Sequence, residues 1–188
     1  RKWGCGNDET DALGREVLET FTGRFVGLPN ARGGKYVCYG LNSRGYIIAG
    51  GMTGATPDGR KAGERLSRNN VATDGCGKEG VTALLLSCGK LDQAEAPDGF
   101  ILDAIMPTSN GETQATAERL AIMLDEYGRL GGQCIHFNCF SAAMLRDAQA
   151  HPEKYRDLQV RVCGWNVRWN DLTKEDQDHF IATAEAQE

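Results

Sequence analysis

The stretch Arg161-Val162-Cys163-Gly164-Trp165 decides how the chain is read. It lies within Leu158-Gln159-Val160-Arg161-Val162-Cys163-Gly164-Trp165-Asn166-Val167-Arg168-Trp169. An alternating apolar run precedes the glycine, and Trp165 and Trp169, four residues apart, follow it. Glycine inside a strand pattern weakens the strand and marks a bend or a close approach. Gly164 is therefore the candidate functional residue. The plain alternative is a packing or bulge glycine.

Working outward, the run before Arg161 contains His151-Pro152-Glu153-Lys154-Tyr155, and before it a helix is predicted over Ala142 to Ala150. Ser141 caps that helix and Pro152 stops it. Cys134-Ile135-His136-Phe137-Asn138-Cys139-Phe140 reads as a strand entered through the Gly131-Gly132 turn. His136 reads as a satisfied strand histidine rather than a base or ligand. Asn138 is expected to bond a backbone group. Thr113 to Tyr127 is a predicted helix with Ala117, Leu120, Ala121 and Leu124 on one face. Gly99 to Met106 is a predicted strand ended by Pro107. Thr173 opens a last helix, with Asp176 as its capping-box partner.

The first hundred residues are richer in turns. Asn7 or Asp8 can cap a helix from about Glu9 to Phe25. Tyr36–Tyr39 and Tyr46–Ala49 read as short strands, and Val81 to Leu91 as helical. Thr56-Pro57-Asp58-Gly59-Arg60 is a sharp turn, in which Arg60 is expected to engage neighbouring carboxylates. It lacks the spacing and the Lys-Ser/Thr of a phosphate-binding P-loop. Helices and strands alternate, so the fold class is α/β.

Composition bounds the function. A chain of 188 residues can bury one sizeable core. Its 24 glycines are nearly twice the usual share and are interleaved with apolar residues. Net charge is −5 with dispersed cations, which excludes nucleic acid as a partner. No apolar run reaches membrane-spanning length and no signal peptide opens the chain. The first residue is arginine, which reads as a processed or truncated start. Seven cysteines with irregular spacing and no CxxC do not form a secreted disulfide framework. Reduced thiols in a cytoplasm fit better, an anaerobic one best. Cys134, His136 and Cys139 come nearest to a zinc set, but their spacing fits a strand better, and no bound metal is expected.

Arg161-Val162-Cys163-Gly164-Trp165 resembles the Arg-Val-x-Gly-Tyr/Phe signature of glycyl radical enzymes, the pyruvate formate-lyase and dehydratase-lyase superfamily. Lys2-Trp3-Gly4 with Asn7-Asp8 resembles a second segment of that family. Thr56 to Glu64, Gly131-Gly132-Gln133 with Phe137-Asn138, and His151 to Tyr155 follow in the family's order. The resemblance covers essentially the whole chain. It implies the C-terminal half of a ten-stranded β/α barrel with the glycyl radical loop in its centre. Residues 1–112 would belong to the barrel and 113–188 to the glycyl radical domain.

The resemblance also implies a mechanism. A separate radical S-adenosylmethionine activase with an iron–sulfur cluster removes one hydrogen from the glycine Cα, here Gly164. The radical passes to a cysteine thiol, which abstracts hydrogen from a small-molecule substrate. In the family that cysteine lies on a loop far upstream of the glycine, and none of the seven here sits in its context. The resemblance therefore implies the C-terminal part of a larger enzyme, a separate subunit or a fragment, with the thiol on a larger partner chain. Cys163 is adjacent to Gly164, but neighbours on a strand point to opposite faces. Arg161, Val162, Cys163 and Trp165 would support the radical loop, and Met106 and Pro107 would be the candidates for a substrate pocket. The expected assembly is a cytoplasmic oligomer.

Three departures accompany the resemblance. Trp165 replaces tyrosine or phenylalanine, Trp169 replaces another aromatic, and Cys163 occupies a position usually small. Residues from Ala31 to Glu64 and from Asp147 to Leu158 look more like the dehydratase, decarboxylase and lyase branches. Val167 to Glu175 looks more like pyruvate formate-lyase. The balance favours cleavage of a C–O, C–N, C–S or C–C bond. The alternatives are a formate acetyltransferase of the pyruvate formate-lyase type and a spare-part protein that replaces a damaged glycyl domain. A scaffold that kept the fold and lost the chemistry is a third.

Overall fold

A polar cap sets the first helix. Asn7 Oδ1 accepts from the Thr10 N–H at 3.2 Å, opening α1 (Asp8–Phe25). Its first turn carries Asp8, Glu9 and Asp11, the charges that a helix N-terminus favours. The computed structural model describes residues 2–42, 45–73, 76–106, 108, 113–162 and 164–187. Pro107 and Cys163 lie outside the described residues. The remaining elements are α2 (Gly45–Met52), α3 (Gly80–Gly89), β1 (Ile101–Met106), α4 (Thr113–Arg129), β2 (Cys134–Cys139), α5 (Ala142–Ala150), β3 (Gln159–Val162), β4 (Trp165–Arg168) and α6 (Lys174–Gln187). Ser141 caps α5 through the Met144 N–H, and Thr173 and Asp176 bond reciprocally at the start of α6.

Two strand pairs frame the site. β1 and β2 run parallel, with Ile101 opposite Cys134 and Met106 opposite Cys139. The crossover between them contains α4, the connection that parallel strands require. β3 and β4 form an antiparallel hairpin, with Val162 opposite Trp165. Side chains alternate along each strand. Leu102 of β1 accordingly joins one core, with Leu84, Leu85 and Cys88 of α3, Phe100 and Tyr127. Ile105 joins a second core with Phe140, Leu145, Val160, Trp169 and Phe180.

Two expected strands are absent. Tyr46–Ala49 lies in helix α2, despite the β-branched pair Ile47-Ile48. The reason is tertiary. Gly50 lets α2 lie directly on the chain at Glu64–Leu66, and the Leu66 N–H donates to the Tyr46 carbonyl at 3.0 Å. Tyr36–Tyr39 forms no strand; isolated bridges, Pro29 with Lys35 and Gly40 with Phe100, flank it. The inward face of α4 is also rotated from the expected one. Tyr127 is buried and Met123 packs on the core, whereas Leu124 is half exposed. Arg60 is buried, but it holds its turn through the carbonyls of Thr53, Gly54 and Glu64 rather than through carboxylates. No helix among the described residues is long and apolar enough to cross a membrane.

Candidate functional site

The β3–β4 hairpin presents Gly164 at its tip. Two residues separate Val162 from Trp165, so the chain reverses there in the tightest way a hairpin allows. Gly164 has φ +90°, a conformation that side chains disfavour. The bend expected at this glycine is therefore a hairpin turn. The hairpin's base is anchored: the Trp169 N–H donates to the Leu158 carbonyl at 2.8 Å, and Trp169 is fully buried against Phe180. Val160 is buried in the same core, while Trp165 is 71% exposed. Arg161 Nη1 donates across the hairpin to Asn166 Oδ1 at 3.0 Å.

Strand β2 lies beneath the tip. Asn138 accepts from the Arg161 N–H at 2.7 Å and donates to the Arg161 carbonyl at 3.0 Å. His136, two residues earlier and so on the same face of β2, is the neighbour of Gly164. A Cβ placed on Gly164 would lie 3.6 Å from His136 Cε1. The imidazole is fixed in turn. Its Nδ1 meets Asp103 Oδ1 at 3.1 Å, and its Nε2 lies 3.6 Å from Cys134 Sγ.

Asp103 is the buried centre of this arrangement, with no side-chain exposure. Its second oxygen accepts from Asn69 Nδ2 at 2.6 Å and faces Arg68 Nε at 3.1 Å. The arginine contact is an ion pair without hydrogen-bond alignment. The Arg68 guanidinium also lies over the Phe180 ring, 5.1 Å from its centroid. Burial raises the Cys134 thiol, the Asp103 charge raises it further, and Arg161 opposes both. The protonated thiol is thus favoured beside His136. Cys139 sits on the opposite face of β2 from Cys134 and His136, which separates the three residues of the nearest zinc set.

A groove of about 530 Å³ runs beside the hairpin, lined by Tyr46, Ile47, Val162, Trp165, Leu172 and Phe180 among others. The structure thus brings Arg161, Val162, Gly164 and Trp165 together at one tip. Met106 stands apart. It is 4% exposed, at the far end of β1, and alternates to the face opposite Asp103. Asp103, Arg68 and Asn69 were not among the expected site residues. One signal pointed to Asp103: a lone carboxylate inside Ile101-Leu102-Asp103-Ala104-Ile105, where burial demands a partner.

A family model, "Glycine radical", matches residues 66–170, a span that contains β1, β2 and the whole hairpin. The chain belongs to the glycine radical family. It is 29% identical to trans-4-hydroxy-L-proline dehydratase of Clostridioides difficile, over 98% of this chain and 23% of that protein. It is 32% identical to the PFL-like enzyme TdcE of Escherichia coli K12, over 96% of this chain and 25% of that one. Among solved structures, one titled for 1,2-propanediol dehydration in Roseburia inulinivorans superposes with a TM-score of 0.87. It shares 35% identity and covers 96% of this chain and 23% of its own. This glycine radical chain therefore spans about a quarter of the length of the relatives it matches, and its α/β architecture is theirs.

Proposed function

We propose that this chain is the radical-bearing C-terminal part of a glycyl radical enzyme, with Gly164 as the radical site. One observation carries the reading. Within the segment that the glycine radical family shares, Gly164 stands at a hairpin tip, held on a buried polar seat rather than in a packed core. A Cα without a side chain can become planar after losing one hydrogen atom, and no Cβ obstructs that transfer. When formed, such a radical supplies hydrogen-atom abstraction through a thiol. This chain's residues do the positioning. Arg161 and Val162 carry the tip, Asn138 and His136 hold it from below, and Trp165 flanks the groove through which a companion would approach. Cys163 adjoins the glycine in sequence.

In this reading residues 1–112 complete part of a β/α barrel and 113–188 form the glycyl radical domain around which it closes. The two cores support the division. Of the buried residues, all but Tyr127 of the first core precede residue 113 and all but Ile105 of the second follow it, although Met123, Leu130 and Ile135 also pack on the first. The thiol belongs to a larger companion part of the enzyme. The row Leu13, Val17 and Phe21 on α1 supports a companion, since all three are more than half exposed on one helix face. Met106 is the least supported assignment, because a buried side chain on the other face of β1 would shape a substrate pocket only through packing.

The relatives named for dehydration support cleavage of a C–O bond, or a kindred C–N, C–S or C–C bond, in a small molecule. A radical S-adenosylmethionine activase in an anaerobic cytoplasm would install the radical, and the working enzyme would be an oligomer. The test is anaerobic electron paramagnetic resonance of the chain with its companion part, activase, S-adenosylmethionine and reductant. A doublet that disappears in Gly164→Ala is expected. No doublet with a demonstrably competent activase and the correct companion would overturn the assignment.

A further inference from the structure

We propose that Asn138 is a positioning residue that fixes the register of the glycine hairpin on β2, and that through it Gly164 is kept over His136. The functional half of this inference rests on Gly164 being the radical site; the structural half does not.

Alternate residues of an antiparallel strand turn both their N–H and their C=O away from the partner strand. Arg161, paired with Asn166 across the hairpin, is such a residue, and its two outward groups need partners. A neighbouring strand would ordinarily supply them. Here β2 and β3 belong to separate strand pairs, and the Asn138 side chain takes the strand's place. Its Oδ1 receives the Arg161 N–H and its Nδ2 gives a hydrogen to the Arg161 carbonyl. A primary amide carries one acceptor and a donor pair at the spacing of a peptide group, so it can satisfy both groups of one residue. Asn138 is 4% exposed, so these bonds face little competition from water.

The clip has a geometric consequence. The side chains of Asn138 and His136 share one face of β2, and the hairpin residues above them are Arg161 and Gly164. Sliding β3 by one residue would set Asn138 against a residue whose polar groups point into its own hairpin. The paired bonds would be lost, and Gly164 would leave His136. His136 is itself immobilised by buried Asp103, so the seat under the glycine is rigid on one side and clipped on the other.

Hydrogen exchange of the 188-residue chain, followed by mass spectrometry, tests the clip without any radical. Asn138→Ala is expected to speed exchange across residues 159–166 by about tenfold or more, with α3 unchanged. Asn138→Asp separates the hydrogen bonds from packing. At neutral pH its carboxylate cannot donate to the Arg161 carbonyl, so the hairpin is loosened. Below about pH 4 the protonated carboxyl can donate, and protection returns to within about twofold of the wild type at the same pH. Unchanged exchange in Asn138→Ala, equal acceleration in α3, or no low-pH recovery would each overturn the clip.

The resonance experiment above then reads the functional half. With a doublet in the wild type, Asn138→Ala is expected to lose most of its intensity, and equal intensity would overturn the positioning role. No doublet in the wild type would overturn the radical site and the positioning role with it, while the exchange result decides the clip.

Discussion

Asp103 and His136 sit opposite one another in the parallel β1–β2 register, with Oδ1 and Nδ1 3.1 Å apart. The pair sets the floor beneath Gly164. It also places a carboxylate with no exposure beside Arg68, which is only 5% exposed. Both charges are tolerable because each answers the other and Asn69 adds a donor.

Removing Asp103 should therefore be costly. Asp103→Ala leaves the Arg68 guanidinium buried without its anion, and a loss of about 3–5 kcal/mol is expected from breaking a buried pair. Asp103→Asn also removes the anion but keeps an acceptor and the shape, so its loss should be smaller than that of the alanine variant. Urea unfolding of the two variants checks this. Equal and small losses would mean that the pair contributes little to the fold.

Gly164→Ala should separate folding from chemistry. Among the described residues the new methyl would meet only His136, at an ordinary contact distance of 3.6 Å, so space is not the obstacle. The φ of +90° is, and the strain should cost about 1–2 kcal/mol. The variant is expected to fold with a modestly lowered melting temperature and to give no radical doublet. A variant that fails to fold would show that Gly164 is held more tightly than the structure implies.

Much of this site was legible before the structure. Gly164 declared itself by standing where a strand pattern needs a side chain, and Asn138 as a strand amide needing a backbone partner. The helices α1, α3, α4, α5 and α6 were readable from periodicity and caps. The failures share one physical cause, tertiary contact overriding local preference. Tyr46–Ala49 has strand-like residues, yet the chain at Glu64–Leu66 receives it as a helix. Arg68 and Asn69 sit in a loop without periodicity, so nothing local links them to Asp103, 35 and 34 residues later. Leu13, Val17 and Phe21 recur at helical spacing on α1, yet all three are exposed. Periodicity locates an apolar face without naming what covers it.

The α2 helix yields a paired prediction about its adjacent glycines, Gly50 and Gly51. A methyl on Gly50 would lie 2.6 Å from both Arg65 Cα and the Glu64 carbonyl oxygen, backbone atoms that cannot rotate aside. A methyl on Gly51 would meet none of the described residues within 4 Å. Gly51→Ala should stabilise by up to about 1 kcal/mol through helix propensity. Gly50→Ala should destabilise by about 1–3 kcal/mol, because α2 must lift from the chain beneath it. Thermal unfolding of the two variants side by side tests the contrast. The same sign for both would show that α2 does not lie on that segment in solution.

Alkaline pH offers a test of the first core. Burial drives the Cys88 thiol from its ordinary value of 9.0 up to about 12, opposed only by its hydrogen bond with Tyr127. Burial raises the Tyr127 hydroxyl as well. Between the two thiol values the folded chain keeps a proton that the unfolded chain has released. Folding then binds protons, so stability falls as pH rises. The contribution of Cys88 is whole below about pH 9 and is lost progressively toward pH 12. Cys88→Ala should start lower, because it opens a small cavity at a fully buried position, and should then decline less steeply between pH 9 and 11. Tyr127 remains in both proteins, but Cys88 also helps to raise its hydroxyl, so the difference in slope reads the thiol together with its effect on Tyr127. Parallel declines would show that Cys88 is not shielded from solvent in the folded state.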